Sequence, residues 1–154
     1  MSTIGIDVMI LQELWTEIPS ERAEPPNGFL FLLHGDSRIP GKFGRNSCGI
    51  GFVLNPLVCI AWDEAGADFT IHETHDNRAR LTSIRLSVLE KSGKTVEFFV
   101  LSAYLPNSFY ESKYLSAIAL DDLGRATSCR KTNDLLIVRI DANCQIGNAS
   151  SFAG

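Results

Sequence analysis

The feature that most constrains this sequence is a pair of alternating apolar segments joined by a tight turn. Residues 80–89 read RLTSIRLSVL, residues 95–104 read TVEFFVLSAY, and Ser92 and Gly93 lie between them. Apolar side chains at alternate positions are typical of a strand with one buried face, and a short Ser-Gly connection is typical of a hairpin. The sequence therefore predicts a long β-hairpin in the middle of the chain.

Shorter apolar runs on either side of the hairpin predict further strands. These strands are expected at residues 6–14, 28–33, 49–55, 58–62, 68–72 and 135–140. Loops are expected at residues 17–27 and 35–46, where proline, glycine and charged residues concentrate. The chain is thus rich in short strands joined by irregular connections.

Only residues 108–128 predict a helix. Ser108 and Glu111 fit a capping box at its start, and apolar residues recur after them at helical spacing. Many strands in hairpins with one late helix favour the α+β class, with sheets stacked face to face, over a strict βαβ alternation.

Length and composition indicate one soluble domain over residues 1–154. Hydrophobic residues make up 45% of the chain and charged residues 21%, which is ordinary for a globular protein. Residues 1–7 lack the pattern of a secretory signal, and no run of roughly 18 apolar residues predicts a membrane span. We therefore expect a soluble intracellular protein, nuclear or cytoplasmic, with no membrane partner and with its four cysteines as free thiols.

Polar residues stand directly after three of the apolar strands. Glu13 follows VMILQ, Tyr104 follows FFVLSA, and Asp141 with Asn143 follows LLIVRI. Strand ends at one rim of a sheet bring distant residues together on a rigid support, which favours a metal or phosphate site there. Each residue taken alone also fits an ordinary turn, edge or half-buried strand position.

These residue types suit hydrolysis of a phosphodiester. A divalent cation neutralises the phosphate charge and orients water, and Mg²⁺ prefers oxygen ligands such as the carboxylate of Glu13. Asp141 can orient or deprotonate the attacking water, and Asn143 can hydrogen-bond a phosphate oxygen. The hydroxyl of Tyr104 can stabilise the charge that develops in the transition state.

The charged residues do not by themselves indicate a nucleic-acid-binding protein. The formal net charge of −4 leaves no overall basic footprint. Arg80 and Arg45 are candidates for contact with a substrate phosphate, although a solvated face is the other interpretation of such basic residues. His72 and His75 are expected at the surface or in a turn, facing opposite sides, so that they do not share a ligand.

Several segments together resemble the endonuclease/exonuclease/phosphatase superfamily. The segment DVMILQEL resembles the family's metal-binding strand, and CGIGFVLN resembles its glycine-bearing strand. The segments RLTSIRL and VLSAYLPN resemble the following hairpin, and LLIVRIDANCQIGN resembles the aspartate–x–asparagine segment. Together they span about residues 6–150. The sequences of these segments are most similar to apurinic-like endonuclease domains of non-LTR retrotransposons and to craniofacial-development-protein-2-like proteins.

The resemblance implies a four-layer α/β/β/α sandwich of two mainly antiparallel sheets with outer helices. It also implies Mg²⁺- or Mn²⁺-dependent hydrolysis of phosphodiesters, with DNA as the substrate and nicking as the reaction. Glu13 takes the place of the metal ligand, and Tyr104, Asp141 and Asn143 take the places of the catalytic residues. A reverse transcriptase domain in a longer parent polyprotein is the expected partner.

The sequence departs from this family pattern at both ends. The family's first strand and its carboxy-terminal Ser-Asp-His segment have no counterpart in residues 1–154. We therefore expect an incomplete sandwich that is weakly active or inactive alone and prone to associate. A non-catalytic remnant that binds a partner, and a phosphatase acting on phosphoinositides or other small phosphate esters, are the alternative functions.

Overall fold

The computed structural model describes residues 7–14, 21–24, 28–35, 49–105 and 113–142. Within these ranges the chain forms strands and helices in the order β1 (Val8–Gln12), β2 (Glu21–Ala23), β3 (Leu30–Gly35), β4 (Gly49–Leu54), α1 (Pro56–Glu64), β5 (Phe69–Ile71), β6 (Leu81–Leu89), β7 (Thr95–Tyr104), α2 (Lys113–Ser128) and β8 (Leu135–Asp141). The strand β2 lies in a segment that the sequence predicted to be a loop.

The strands form two four-stranded sheets. The first sheet has the order β1-β4-β3-β2 with every neighbouring pair antiparallel, and the second has the order β5-β6-β7-β8. In the second sheet β7 and β8 are parallel, because α2 carries the chain back across the sheet between them. The predicted hairpin is confirmed as β6 and β7, which pair in antiparallel register along their length.

The main hydrophobic core lies between the two sheets. The first sheet contributes apolar side chains from β3 and β4, and the second contributes them from β6 and β7. The buried members of this core are Leu30, Leu32, Phe52, Leu54, Trp62, Ile84, Leu86 and Val100. Two sheets that bury their facing sides against each other confirm the predicted α+β fold with stacked sheets.

The predicted strand at residues 58–62 is wrong, because these residues belong to α1. The side chain of Asn55 caps this helix by accepting a hydrogen bond from the backbone N–H of Val58 at 2.8 Å, and Pro56 occupies the first turn. Trp62 enters the core while Leu57 and Ile60 stay exposed. A short apolar run cannot be assigned to strand or helix by hydrophobicity alone, and here the Asn-Pro signal decides.

The helix α2 covers the outer face of the second sheet. Its residue Ala126 packs with Leu81, Phe99 and Leu101, which point away from the inter-sheet core. The proposed capping residues Ser108 and Glu111 lie outside the described residues. Neither α1 nor α2 is long and apolar enough to cross a lipid bilayer.

Candidate functional site

The ends of β1 and β7 meet at one end of the sandwich. Glu13 directly follows β1 in the first sheet, and Tyr104 is the last residue of β7 in the second sheet. The hydroxyl of Tyr104 donates a hydrogen bond to Oε1 of Glu13 at 2.8 Å, across a separation of 91 residues in sequence. The structure therefore brings together two of the site residues that the sequence predicted.

The backbone of Glu13 adopts a conformation that residues other than glycine rarely adopt. Its φ angle is +55°, in the left-handed region. The next residue, Leu14, donates its N–H to the carbonyl of Gly49 at 3.0 Å. This bond holds the backbone on the carboxyl side of Glu13, and such backbone strain persists only where surrounding contacts fix it.

Asp141 lies next to Tyr104 in the second sheet. The two residues are partners in the parallel register of β7 and β8, and the N–H of Leu105 donates to the carbonyl of Asp141 at 2.9 Å. Asp141 is half-buried. Its predicted companion Asn143, and the predicted phosphate ligand Arg45, lie outside the described residues.

Arg80 lies beneath Tyr104 rather than on a solvated face. Only 4% of its surface is exposed, its Nε donates to Oδ2 of Asp76 at 2.7 Å, and its guanidinium carbon lies 5.8 Å from the centre of the Tyr104 ring. The interpretation of the basic residues as a solvated face is therefore wrong for Arg80. The neighbouring basic residue Arg85 has 15% of its side chain exposed and pairs with the buried Asp134 at 3.1 Å.

The loop between β5 and β6 holds Arg80 in place. Within it Asp76 accepts hydrogen bonds from the hydroxyl of Thr74 at 2.9 Å and from the N–H of Arg78 at 3.1 Å. Burial tends to raise the pKa of Asp76, but the positive charge of Arg80 and these donors outweigh it and hold that pKa below its usual range. Asp76 therefore stays ionised and pairs with Arg80.

Two buried hydroxyls extend the polar character of the site into the core. Ser102 lies two residues before Tyr104, on the same face of β7, and its partner across the strand pair is Thr82. Both side chains are fully buried, and neither hydroxyl has a hydrogen-bond partner among the residues that the structure describes. A buried hydroxyl without a partner costs about 1–3 kcal/mol, and such groups concentrate at functional positions.

A second group of charged residues anchors the same loop to α2. The Nδ1 atom of His75 contacts the buried carboxylate of Asp122. The backbone N–H of His75 also donates a hydrogen bond to this carboxylate at 3.0 Å. Together with Asp121, these residues offer ligand atoms within 4.8 Å of one another, a spacing that can hold a metal ion. The guanidinium of Arg125 already pairs with Asp121 and Asp122, so a metal ion has to displace it.

The two histidines have different partners, as their predicted orientation requires. His75 lies in a turn, whereas Nε2 of His72 lies 2.8 Å from the hydroxyl of Ser83. Burial lowers the pKa of His72, and the nearby carboxylate of Asp68 only partly opposes that shift. His72 is therefore a structural group that is stable in its neutral form.

The free energy of unfolding is expected to fall with decreasing pH in two stages. In the unfolded chain His72 takes up a proton at about pH 6.5, whereas its pKa in the folded protein is lower. The free energy of unfolding therefore falls as the pH drops from about 6.5 toward the lower folded pKa. Asp76 contributes stability above its unfolded pKa of about 3.9 that is lost as the pH falls through its lower folded pKa. Urea unfolding measured from pH 8 to pH 3 tests this, and His72→Gln should remove the first stage alone. A first stage that persists in that variant would contradict the assignment.

Sequence reasoning missed the residues that support the site. Asp76 and Asp122 gave no signal beyond ordinary charge, because their partners come from other parts of the chain or lie in a loop. The spacing of Asp121 and Arg125 by four residues was a visible signal of a helical ion pair. Its link to His75 depends on how α2 packs, which local spacing does not reveal.

Comparisons with protein-family models, with curated proteins and with solved structures find no match to this chain. The functional assignment therefore depends on the arrangement of Glu13, Tyr104, Asp141 and their supporting residues.

Proposed function

We propose that this chain is a metal-dependent phosphodiesterase of the endonuclease type, with DNA as its substrate and nicking as its reaction. The hydrogen bond between Tyr104 and Glu13 is the observation that carries the proposal. These residues lie at the ends of strands in different sheets, Glu13 exposed and Tyr104 buried, and their functional groups meet at 2.8 Å. Asp141 lies beside Tyr104 in the register of β7 and β8.

The residue types at this strand end fit a hard divalent cation. Mg²⁺ takes oxygen ligands, keeps several waters and needs only one or two carboxylates from the protein. Glu13 would hold Mg²⁺ or Mn²⁺, and the bound cation would neutralise phosphate charge and orient water. The cluster of His75, Asp121 and Asp122 fits less well, because Arg125 already supplies positive charge to both carboxylates.

The other residues have distinct roles in this proposal. Asp141 orients or deprotonates the attacking water, and the hydroxyl of Tyr104 donates to the oxygen on which negative charge develops. Asn143 would hydrogen-bond a phosphate oxygen. The buried Arg80, held by the partly exposed Asp76, supports the Tyr104 ring from beneath, so Arg80 adds positive potential without needing to touch the phosphate.

Nicking of supercoiled plasmid tests the proposal directly. Purified protein is assayed with Mg²⁺ or Mn²⁺, with EDTA, and as the variant Glu13→Gln, which removes the charge and preserves the shape of the side chain. We expect metal-dependent nicking that falls on the order of 10³-fold in the variant. The matched control is Glu90→Gln, the same change at an exposed residue beside the hairpin turn, which should retain full activity.

The outcomes separate the alternatives. Nicking that is equal in Glu13→Gln and the unsubstituted protein would rule out this site. If neither protein nicks DNA, hydrolysis of a phosphoinositide or another small phosphate ester is assayed with the same metals. Absence of both activities, together with no Mn²⁺ binding by electron paramagnetic resonance, would indicate the non-catalytic, partner-binding alternative.

A further inference from the structure

We propose that Gln12 is a positioning residue that holds Glu13 against Tyr104. Its Nε2 donates a hydrogen bond to the backbone carbonyl of Ala103 at 2.7 Å. Gln12 immediately precedes Glu13, and Ala103 immediately precedes Tyr104. Two consecutive residues at the end of β1 are therefore joined to two consecutive residues at the end of β7. One hydrogen bond joins Gln12 to Ala103, and the other joins Tyr104 to Glu13.

These bonds cross between sheets that share no backbone pairing. The core between the facing surfaces of the two sheets consists of apolar side chains, whose attraction has no directional preference. Close packing of these side chains opposes sliding of the sheets but does not by itself orient a polar group at their rim. A hydrogen bond fixes both distance and direction, so Gln12 sets the register of the Glu13 backbone relative to β7.

The position of β1 makes such a bond necessary. The strand lies at one end of the order β1-β4-β3-β2, so backbone pairing holds it from one side within the described residues. Gln12 is paired there with the fully buried Ile50. A part-buried hydrogen bond at this point is shielded from competing water and is stronger than an exposed one.

The conformation of Glu13 gives independent support. Its φ angle of +55° is a strained conformation that surrounding contacts have to hold. The contact on the carboxyl side is the bond from Leu14 to Gly49, and the contact on the amino side is the bond from Gln12 to Ala103. Removing Gln12 releases one of these restraints and leaves the carboxylate free to leave Tyr104.

The chemistry of the side chain matters as well as its length. The acceptor is a carbonyl, so the side chain at position 12 has to present a donor. Methionine has a similar length and no donor, and glutamate has the same shape but turns an acceptor toward the carbonyl. Gln12→Met and Gln12→Glu therefore both break the bond while retaining the shape of the side chain.

The role in positioning rests on the proposed function, but a double-mutant cycle tests it without any activity. Glu13→Ala, which removes the acceptor, and Tyr104→Phe are made singly and together, and the midpoints of urea unfolding give the coupling between the two residues. The cycle is then repeated in the Gln12→Met protein. We expect coupling in the first cycle and a loss of at least half of it in the second. The control background is Ser87→Ala, which loses the bond to Glu97 at the far end of the hairpin and should retain the coupling.

Activity adds a second readout that a purely structural role would not change. In Gln12→Met the kcat of metal-dependent nicking should fall about 10–100-fold, with the KM for plasmid changed less than about twofold, because orientation is lost and binding is retained. Equal coupling in both cycles, or no coupling in the first, would overturn the positioning role. Absence of nicking in the unsubstituted protein would overturn only the proposed function, because the cycle still decides the role of Gln12.

Discussion

Gly49→Ala is expected to lower the free energy of unfolding by roughly 2–5 kcal/mol and to separate Glu13 from Tyr104. A Cβ atom at Gly49 would lie 2.1 Å from the carbonyl oxygen of Leu14, which is backbone and cannot simply rotate away. The φ angle of Gly49, +139°, is also one that alanine rarely adopts. The Leu14 segment would have to move, and Glu13 would move with it.

Urea unfolding and the nicking assay measure the two effects of Gly49→Ala. The matched control is Gly124→Ala in α2, at an exposed position where a Cβ atom would meet nothing within 4 Å. That change should stabilise the protein by about 0.5–1 kcal/mol, because alanine favours the helix more than glycine does. Unchanged stability of Gly49→Ala would contradict the close packing of β4 against the Glu13 turn.

The glycine spacing in β4 was visible in the sequence, but its cause was not. Gly49 makes room for the turn at Leu14, and a Cβ atom at Gly51 would lie 2.4 Å from the carbonyl oxygen of Leu32. Both contacts come from neighbouring strands that approach β4 closely. Local sequence shows that a strand contains glycine, whereas only the assembled sheet shows which backbone comes near it.

The β-rich part of the fold could be predicted because its signal is local. Alternation within residues 80–104 and the turn between its two halves predict the hairpin, and the structure pairs β6 with β7 accordingly. That pattern did not show that α2 covers the outer face, where Leu81, Phe99 and Leu101 pack. The helix α1 was missed because VCIAW is apolar without a clear period, and the cap at Asn55 is a single-residue signal. The weak pattern reflects a helix that buries Trp62 and leaves Leu57 exposed.

The candidate site could be predicted only in its outline. Glu13, Tyr104 and Asp141 were found because polar residues at the ends of apolar strands stand out in the sequence. Their mutual contacts, and the partners Gln12 and Asp76, depend on how two sheets stack. No period or spacing encodes that arrangement, because the residues concerned are separated by up to 91 positions.

Asp134→Ala is expected to lower the free energy of unfolding by about 3–5 kcal/mol. The Asp134 carboxylate has 2% of its side chain exposed and accepts hydrogen bonds from Arg85 at 3.1 Å and from the N–H of Lys131 at 3.0 Å. Arg85, which is 15% exposed, would keep its charge, and within the described part of the chain its remaining acceptor would be the carbonyl of Cys129 at 2.6 Å. An incompletely compensated charge beneath the surface is the main source of the loss.

A double variant separates the loss of the ion pair from the loss of packing. Arg85→Met with Asp134→Ala removes both charges and retains an apolar side chain over the Phe99 ring, where the guanidinium carbon lies 5.2 Å from the ring centre. Because no charge is left uncompensated, this protein should unfold at a higher urea concentration than Asp134→Ala alone. If the double variant is as unstable as the sum of the two single variants, the cost comes from lost packing and from the freed N–H of Lys131 rather than from the stranded charge of Arg85.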